Sequence, residues 1–560
     1  MPPRRRTISS AALIAALVIG YCAAYLLNLD TFPLARMDEF RYSEIPREML
    51  ASDNWVVPRL NGLRYFEKPV LGYWVGAASL ALFGENNFAS RLPSALATGM
   101  TAFFIGLLGA RLSRNRGTGI LAAFIYLTAL AVFGIGTINI LDSLLTLWLT
   151  MTIGGYLWAW RESNERLRRI LKITAGVACG LAFLTKGFLA LVVPVIVVVP
   201  FLAWQRQWKE LFTGLWLPFG VAFIVALPWA LLIYQQEPDF WRYFFWEEHI
   251  RRFAADDAQH PRPIWFFFAT LPAMALPWTF MVPAALPGLR RQAGNRGSVG
   301  YLVLWAVIPF LFFSVARGKL LPYILPCFPP LALLLALGLR ESLPEAAAAR
   351  GRAGLRGLLW LWIAGLAFLL LNQFAGLGKP VFDATEGIRW GALVAAMATG
   401  VAICIVALRT AAGRLHVHVL AAGLAVVPLI LAIPFAMPNR TRMSKMPGPI
   451  LSQLAADVPA DAVLISDGGF VHAVAWIFKR NDIYLLSPGE LRYGVSYPED
   501  QFRLLTAAGL RQLLDRSAGR RAVFIACDAA EEPMLRSVLA ASARQLKYGD
   551  MVVWETAAKR

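Results

Sequence analysis

Long apolar runs separated by short polar links dominate the chain up to about residue 438. A transmembrane helix needs about 20 predominantly apolar residues, and about thirteen runs approach or reach that length. We place them at 8–29, 88–110, 117–136, 140–160, 170–185, 187–204, 213–234, 263–286, 299–316, 319–339, 357–376, 390–408 and 415–436. The pattern predicts an α-helical polytopic membrane protein with about 13 transmembrane helices. The shorter run from Val70 to Phe83 predicts a re-entrant or interfacial helix.

The stretch from Arg36 to Pro69 interrupts this pattern with a high density of charge. Most connections between helices are short, so a polar loop of about 34 residues suggests more than a link. Tyr42, Ile45 and Met49 recur at helical spacing, which predicts an amphipathic helix lying at a membrane surface. The alternative is a solvated loop with incidental charges.

The pattern changes again after about residue 439. Short apolar runs at 462–467, 482–487 and 522–528 alternate with helix-like stretches at 470–480 and 501–516, and the chain ends in a strand-like DMVVWET. This alternation predicts a small α/β domain. We therefore expect a transmembrane domain over 1–438, with an amphipathic loop at 30–87, and an α/β domain over 439–560.

Composition supports this division and excludes some functions. Of the 560 residues, 58% are hydrophobic and 16% are charged, as expected for a polytopic membrane protein. The net charge of +19 arises mainly from short links rather than from one basic domain, which argues against nucleic-acid binding. Basic residues fill alternate links, so the positive-inside rule predicts a cytoplasmic N-terminus. The loops at 30–87 and 235–262 and the C-terminus then lie on the opposite side.

Carboxylates near the membrane are the first candidates for chemistry. Asp38 and Glu39 follow the first run closely, and Asp142 lies just inside a later run. A carboxylate at such a depth is costly unless it is hydrated or paired, so it predicts a functional site. Asp38 and Glu39 could act as a base, a metal ligand or a counter-ion to a cationic substrate. Helix capping with pairing to Arg36 or Arg41 is the simpler alternative.

Cations in the outer links are the second group of candidates. They are Lys68, Lys186, Arg251, Arg252, Arg317 and Lys319, and Tyr323 follows the last of them. Several cations around one cavity suit one or more phosphate groups. The alternative is that each cation anchors a lipid headgroup independently. His249 could bind a divalent cation with Glu67 or Asp38, although a hydrogen-bonded interfacial histidine is an equally simple explanation.

Four sequence motifs resemble a known family. They are MDEFRYSEIPREMLASDNWVVPRLNGLRYFEKPVLGYW from residue 37, EEHIRRF at 247–253, GKLLPYILPCFPPLA at 318–332 and GELRYGVSYPED at 489–500. Together they resemble the ArnT family of bacterial aminoarabinose transferases. The Asp38-Glu39 pair is shared more widely, with protein O-mannosyltransferases and other GT-C glycosyltransferases. Phe40 and Pro46 depart from the family pattern, but neither changes an acid or a base.

The resemblance implies a fold, a reaction and a location. It implies a GT-C fold with a C-terminal periplasmic α/β domain in the bacterial inner membrane. The implied enzyme moves 4-amino-4-deoxy-L-arabinose from undecaprenyl phosphate to lipid A phosphates at the periplasmic face, which gives resistance to polymyxin and other cationic peptides. Its partners are the lipid-linked donor, lipid A and membrane lipids. We expect a monomer, no nucleotide cofactor and no nucleic acid.

The resemblance also suggests roles for individual residues. We expect Asp38 and Asp142 to be catalytic, orienting the ammonium group of the sugar or stabilising positive charge at its anomeric carbon. The predicted substrate-binding residues are Glu39, Lys68, Lys186, Arg251, Arg252, Arg317, Lys319 and Tyr323. Glu67 and His249 are the predicted ligands if the enzyme holds a divalent metal such as zinc. Two alternatives remain, a protein O-mannosyltransferase-like enzyme and a lipid-saccharide transporter.

Overall fold

The structure is a computed structural model of the chain. It describes residues 9–251, 260–292, 296–342, 344–375, 378–410, 414–517, 522–539 and 544–556. Of residues 249–251 only the backbone is described.

A helix or a bent helix pair lies on every apolar run of the membrane part. The bounds are Ser10–Tyr21 with a π-helical turn at Cys22–Leu26, Asn87–Ser113, the pair Arg116–Leu127 and Leu130–Gly136, Asp142–Arg161, Glu165–Lys186, Leu189–Trp204, Trp216–Gln236, the pair Phe266–Met274 and Val282–Arg291, Arg296–Val315, Phe328–Glu341, Pro344–Phe374, Gly387–Thr410 and Leu415–Ala432. Within the described ranges, seven helices are long and apolar enough to cross a membrane, or up to nine if each bent pair counts as one span. The class of a helical polytopic membrane protein is confirmed, and the count of about 13 spans stays a prediction.

The two bent pairs meet at their breaks. The first bends by 66° and the second by 88°. The amide of Leu130 donates to the carbonyl of Leu276 at 2.9 Å, and Trp278 Nε1 donates to Thr128 Oγ1 at 3.1 Å. Backbone groups released by a break have no water to bind inside a bilayer. The two breaks therefore supply partners to each other.

The first polar loop folds into a helix, a hairpin and a second helix. The helix Asp38–Ser52, here called the loop helix, begins with two acids, which complement the positive end of its dipole. It buries Ile45 and Met49 as the spacing predicted, and Tyr42 is half-buried. Strands β1 (Arg59–Leu60) and β2 (Leu63–Arg64) pair antiparallel across a two-residue turn.

The turn of this hairpin depends on backbone conformation. Asn61 and Gly62 both adopt positive φ, 55° and 71°, as a type I′ hairpin turn requires. The short apolar helix predicted after the hairpin is present at Leu71–Phe83.

The C-terminal part is a mixed α/β domain, as predicted. Its strands are β3 (Val463–Ser466), β4 (Tyr484–Leu485), β5 (Val523–Asp528), β6 (Arg544–Tyr548) and β7 (Met551–Thr556), in the sheet order β4-β3-β5-β7-β6. The first three are parallel and the last two antiparallel. Helices lie at Asn439–Lys445, Gly448–Ala455, Val471–Phe478, Ala507–Ser517 and Glu532–Val538.

The sequence analysis missed one strand of this domain, and one of its predicted helices needs correction. Strand β6 was not predicted, because its sequence RQLKY alternates charge and apolar residues too weakly to stand out. The helix expected over 501–516 begins only at Ala507, after a 3-10 turn at Gln501–Arg503. The predicted boundary between residues 438 and 439 stays a prediction.

Candidate active site

Glu39 anchors the loop helix to the membrane helices. Its Oε1 accepts hydrogen bonds from Arg91 Nε at 2.7 Å and from the Asn139 amide at 2.9 Å. Its Oε2 accepts from the Ala35 amide and from Arg91 Nη2, both at 2.8 Å. These four bonds use the roughly four lone-pair positions of a carboxylate. Its carboxylate oxygens are therefore occupied inside the protein, and the expectation that Glu39 binds substrate stays a prediction.

Asp38, one residue earlier, lies at the surface of the same helix turn. Its side chain is 51% exposed and pairs with Arg41 Nη2 one turn further along. Arg41 itself is buried, and its Nη1 donates to Glu490 of the C-terminal domain and to Tyr65 Oη at 3.1 Å. Asp38, Arg41 and Glu490 therefore form a linked series of charges, here called the charge relay, whose exposed end is Asp38.

Lys68 lies in a second group of charges beside the relay. Its ammonium pairs with Glu248 from the 235–251 segment and donates to the carbonyl of Glu67 at 2.7 Å. Burial raises the pKa of Glu67, and the nearby carboxylates of Glu248 and Glu490 raise it further. The predicted phosphate ligand Lys68 thus lies beside Glu67 and Glu248, and Glu490 of the C-terminal domain lies within electrostatic range of Glu67.

Asp142 and Lys186 form an ion pair where two membrane helices end. Asp142 begins the helix Asp142–Arg161, and Lys186 ends the helix Glu165–Lys186, so each charge suits the helix dipole at its position. Lys186 Nζ lies 2.7 Å from Asp142 Oδ1 and 5.3 Å from the ring centroid of Tyr323. The structure therefore brings the predicted catalytic residue Asp142 together with two predicted substrate-binding residues, Lys186 and Tyr323.

Tyr42 lies near both of the carboxylates that were expected to be catalytic. Burial raises the pKa of its hydroxyl, the Arg41 guanidinium opposes that effect, and the carboxylates of Asp38 and Asp142 both add to the rise. The ring of Tyr42 lies 4.9 Å from Arg41 Cζ and packs 6.2 Å from the ring of Tyr73. Asp38 and Asp142 therefore lie within electrostatic range of one aromatic side chain.

The ammonium group of Lys319 is buried and makes its described hydrogen bonds to backbone carbonyls. It is 3% exposed, and its ammonium donates to the backbone carbonyl of Arg262 at 2.9 Å and to that of Ala316. Burial lowers the pKa of this ammonium. Two of its three N–H groups hold the segment after residue 260 onto the turn at 316–319. The expectation that Lys319 binds substrate stays a prediction. The neighbouring Arg317 is exposed.

Other predicted residues fall on the undescribed part of the 235–262 segment. Arg252 lies outside the described residues, as do the side chains of His249 and Arg251. Among the side chains that are described, no three His, Cys, Asp or Glu residues come together as a metal site. Glu67 and Glu248 could supply carboxylate ligands, but these described residues do not complete a zinc site. The predicted metal pair of Glu67 and His249 stays a prediction.

Sequence reasoning assigned no site role to four charged residues of this region, although it named Arg41 as a possible partner of Asp38. Arg41, Glu248 and Glu490 lie inside the quoted motifs, but motif membership did not distinguish them from their charged neighbours. Arg91 is fully buried, and it stands alone in an otherwise apolar run. A single charge inside such a run is itself the signal that could have identified it.

Two family models match the chain. The model described as dolichyl-phosphate-mannose-protein mannosyltransferase matches residues 10–244. The model described as arabinosyl transferase ArnT, C-terminal domain, matches residues 442–555. The first covers the loop helix and the Asp142–Lys186 pair, and the second covers the domain that carries Glu490.

Curated relatives match over nearly the whole length. The undecaprenyl phosphate-alpha-4-amino-4-deoxy-L-arabinose arabinosyl transferase of Edwardsiella ictaluri is 41% identical over 495 residues, which are 88% of this chain and 89% of that protein. The protein of the same name from Pseudomonas paraeruginosa is 38% identical over 551 residues, covering 96% of this chain and 97% of that protein.

Solved structures share the fold. The crystal structure of ArnT from Cupriavidus metallidurans bound to undecaprenyl phosphate superposes with a TM-score of 0.81 at 22% identity, covering 98% of both chains. The oligosaccharyltransferase of Archaeoglobus fulgidus gives a TM-score of 0.51 at 12% identity, covering 93% of this chain and 70% of that one.

Proposed function

The chain belongs to the ArnT family of arabinosyl transferases, and from that premise we propose that it moves 4-amino-4-deoxy-L-arabinose from undecaprenyl phosphate to a phosphate group of lipid A. It is a glycosyltransferase and a multi-pass membrane protein. The observation that carries the proposal is the identity of 41% over 88% of the chain. The accessible carboxylate of Asp38, with cationic side chains in the surrounding loops, gives a charge arrangement suited to an amino sugar and two phosphates.

The proposed location is the bacterial inner membrane, with the site at the periplasmic face. Basic residues fill alternate links, including those at Arg111 to Arg116 and Arg161 to Lys172, which places these links in the cytoplasm with the N-terminus. The loop helix, the 235–262 segment and the C-terminal domain then lie together in the periplasm. The contacts of Arg41 with Glu490 and of Lys68 with Glu248 support this shared side.

The proposed reaction exchanges one phosphate for another at the anomeric carbon. A phosphate oxygen of lipid A forms a bond to that carbon, the bond to the oxygen of undecaprenyl phosphate breaks, and the electron pair leaves with that phosphate. The acceptor is already anionic, so no strong general base is needed. The lipid phosphate is the leaving group, so the reaction needs no nucleotide.

The two catalytic carboxylates act on positive charge. Asp38 and Asp142 orient the ammonium of the sugar or stabilise the charge that develops at the anomeric carbon. Asp38 is the more accessible of the two, because Asp142 is buried against Lys186. The added ammonium group also reduces the negative charge of lipid A, which weakens its attraction for polymyxin and other cationic peptides.

The phosphate groups bind to cations of the same surface. These phosphates bind to Lys68, Lys186 and Arg317, and the ring of Tyr323 lies beside Lys186. Each lysine is paired with a carboxylate in the free protein, so an incoming phosphate competes with Glu248 or with Asp142. Arg251 and Arg252 belong to this set as predictions. A metal at Glu67 and His249, where present, supplies further positive charge toward phosphate.

Mass spectrometry of lipid A tests the proposal. A host that makes the aminoarabinose donor but lacks its own transferase would carry this gene or its Asp38→Ala variant. We expect lipid A with an added aminopentose from the wild type and unmodified lipid A from the variant. Unmodified lipid A from both, with the wild type shown to be folded in the membrane, contradicts the proposal.

A protein O-mannosyltransferase-like activity is the second candidate, because the mannosyltransferase family model matches residues 10–244. The match of the C-terminal domain to an arabinosyl transferase favours the first candidate. Supplying a polyprenyl-phosphate mannose donor to the purified protein separates the two. Mannose transfer to a protein acceptor, without transfer of aminoarabinose to lipid A, would favour the second.

A further inference from the structure

The C-terminal domain contributes the side chain of Glu490 to the candidate active site. Glu490 lies in a 3-10 turn, Gly489–Arg492, whose backbone packs directly on Gly468 of the same domain. A Cβ at Gly468 would lie 2.5 Å from the Cα of Gly489, so this close approach needs two glycines. The turn holds the Glu490 side chain, 14% exposed, against the buried guanidinium of Arg41 in the loop helix.

Arg41 divides its donors between two carboxylates. Nη2 donates to Asp38, and Nη1 donates to Glu490 and to Tyr65 Oη at 3.1 Å. A guanidinium without a second partner favours two parallel bonds to one carboxylate. Glu490 therefore keeps Arg41 from turning both amino groups onto Asp38, and it leaves part of the Asp38 carboxylate unpaired.

We propose that Glu490 is a positioning residue for the transfer reaction, acting on Asp38 through Arg41. The inference rests on the proposed function, because it assigns Asp38 to the charge that develops on the sugar. Of the three members of the charge relay, only Asp38 is accessible, with a side chain that is 51% exposed against 7% for Arg41. A change at Glu490 is thus transmitted to the accessible carboxylate of the charge relay.

The surroundings of Glu490 direct its charge toward Arg41. On the other side, the buried His472 has Nε2 at 3.9 Å from Glu490 Oε2. Burial lowers the pKa of His472 to about 4, so the imidazole is uncharged near neutral pH. Among the described side chains, Arg41 rather than His472 is thus the charged partner of Glu490.

A matched pair of variants tests the inference. Glu490→Gln removes the charge that faces Arg41. Glu499→Gln removes an exposed ion pair with Arg64, at 2.9 Å, which joins the same loop of the C-terminal domain to the first polar loop without contacting Asp38. Purified full-length proteins would be assayed for aminoarabinose transfer from undecaprenyl phosphate-linked donor to lipid A. Donor KM and kcat would be measured separately, with thermal unfolding in detergent as the test of folding.

We expect Glu490→Gln to lower kcat by about tenfold to hundredfold, by analogy with residues that hydrogen-bond the ligands of a metal site. Donor KM should change little, because the effect falls on charge that develops in the transition state. Glu490→Asp, which keeps the charge, should recover part of the lost kcat. Glu499→Gln should stay within about twofold of the wild type, as an exposed ion pair contributes little.

Four outcomes overturn the inference. A wild-type kcat in Glu490→Gln would show that Glu490 has no positioning role. Equal losses of kcat in Glu490→Gln and Glu499→Gln would show a general effect of domain docking. If Glu490→Gln does not fold, the Glu490→Asp variant becomes the test. A full wild-type kcat in Glu490→Asp would then show that Glu490 contributes to stability alone. A wild-type protein that transfers no aminoarabinose overturns the proposed function itself and the inference with it, which distinguishes the two failures.

Discussion

Asp38 and Glu39 are consecutive residues in the first turn of one helix, yet they belong to two regions with opposite properties. Glu39 lies in a buried anchor with Arg91 and Asn139, where four donors surround its oxygens. Asp38 lies at the accessible end of the charge relay with Arg41 and Glu490. The anchor fixes where the loop helix sits on the membrane helices, and the relay presents one carboxylate to the surface.

The difference shows how one helix turn can separate stability from chemistry. A buried carboxylate must be fully paired, because an unpaired buried charge is costly. Full pairing leaves no oxygen for a substrate. A carboxylate that acts on substrate needs an accessible face and a partner that does not saturate it, which is the arrangement of Asp38. Each region can therefore be disturbed without the other, and the following predictions do so.

Asp38→Asn should have the largest effect on activity. We expect transfer to fall by about 10²- to 10³-fold, as for the loss of one group that stabilises transition-state charge. The fold should be kept, because this side chain is half exposed. The measurement is aminoarabinose transfer to lipid A by purified protein.

Asp53→Asn is the matched control for that variant. Asp53 follows the C-terminal end of the same helix in a left-handed conformation that asparagine tolerates, so activity should remain near that of the wild type. Near-normal turnover in Asp38→Asn would show that Asp38 has no catalytic role.

Glu39→Gln should act on stability instead. Removing one partner from a buried ion pair costs about 3–5 kcal/mol. We expect a lower thermal unfolding temperature in detergent and less folded protein in the membrane. Glu165→Gln, which breaks an exposed pair with Arg168, should cost at most about 1 kcal/mol. Equal unfolding temperatures for the two variants would contradict the anchor.

Lys186→Gln should act on substrate binding. A charge-assisted hydrogen bond contributes about 1.5–3 kcal/mol, so donor KM should rise about tenfold or more. Lys172, near the other end of the same helix, also pairs with a carboxylate, that of Glu210, and Lys172→Gln should leave KM unchanged. A similar rise of KM in both variants would point to a general effect on the helix.

The smallest expected effect is on the pH dependence of stability, and it arises from His472, which lies beside Glu490. The pKa of His472 falls to about 4 in the folded protein, against about 6.5 when unfolded. The unfolded chain therefore binds the proton first as pH falls, and the stability that His472 contributes is present above pH 6.5 and is lost between there and pH 4. At pH 5.5 we expect a loss of about 1 kcal/mol.

Thermal unfolding at pH 7.5 and 5.5 measures this loss. His472→Leu should reduce the difference between the two unfolding temperatures. His416→Leu, at an exposed histidine, should leave that difference unchanged. An undiminished difference in His472→Leu would assign the pH dependence to other groups.

Much of this architecture could be predicted from local pattern. Apolar runs located the membrane helices, the spacing of Tyr42, Ile45 and Met49 located the loop helix, and short apolar runs located β3, β4 and β5. The backbone contacts of Lys319 could not be predicted, because a lysine in a turn has the same sequence signature whether it faces a cavity or donates to backbone carbonyls. The sequence also gave no means of distinguishing Asp38 from Glu39.

The sequence by itself determined the class of protein, the family and the acids and cations available for chemistry, because these depend on hydrophobic periodicity and on motifs. Only the tertiary structure decided which charges are paired and which are accessible. Arg41 and Glu490 are 449 positions apart, and Glu39 and Arg91 are 52 apart. Burial and pairing over such separations depend on how the elements pack, and that packing made Glu39 an anchor and left Asp38 accessible.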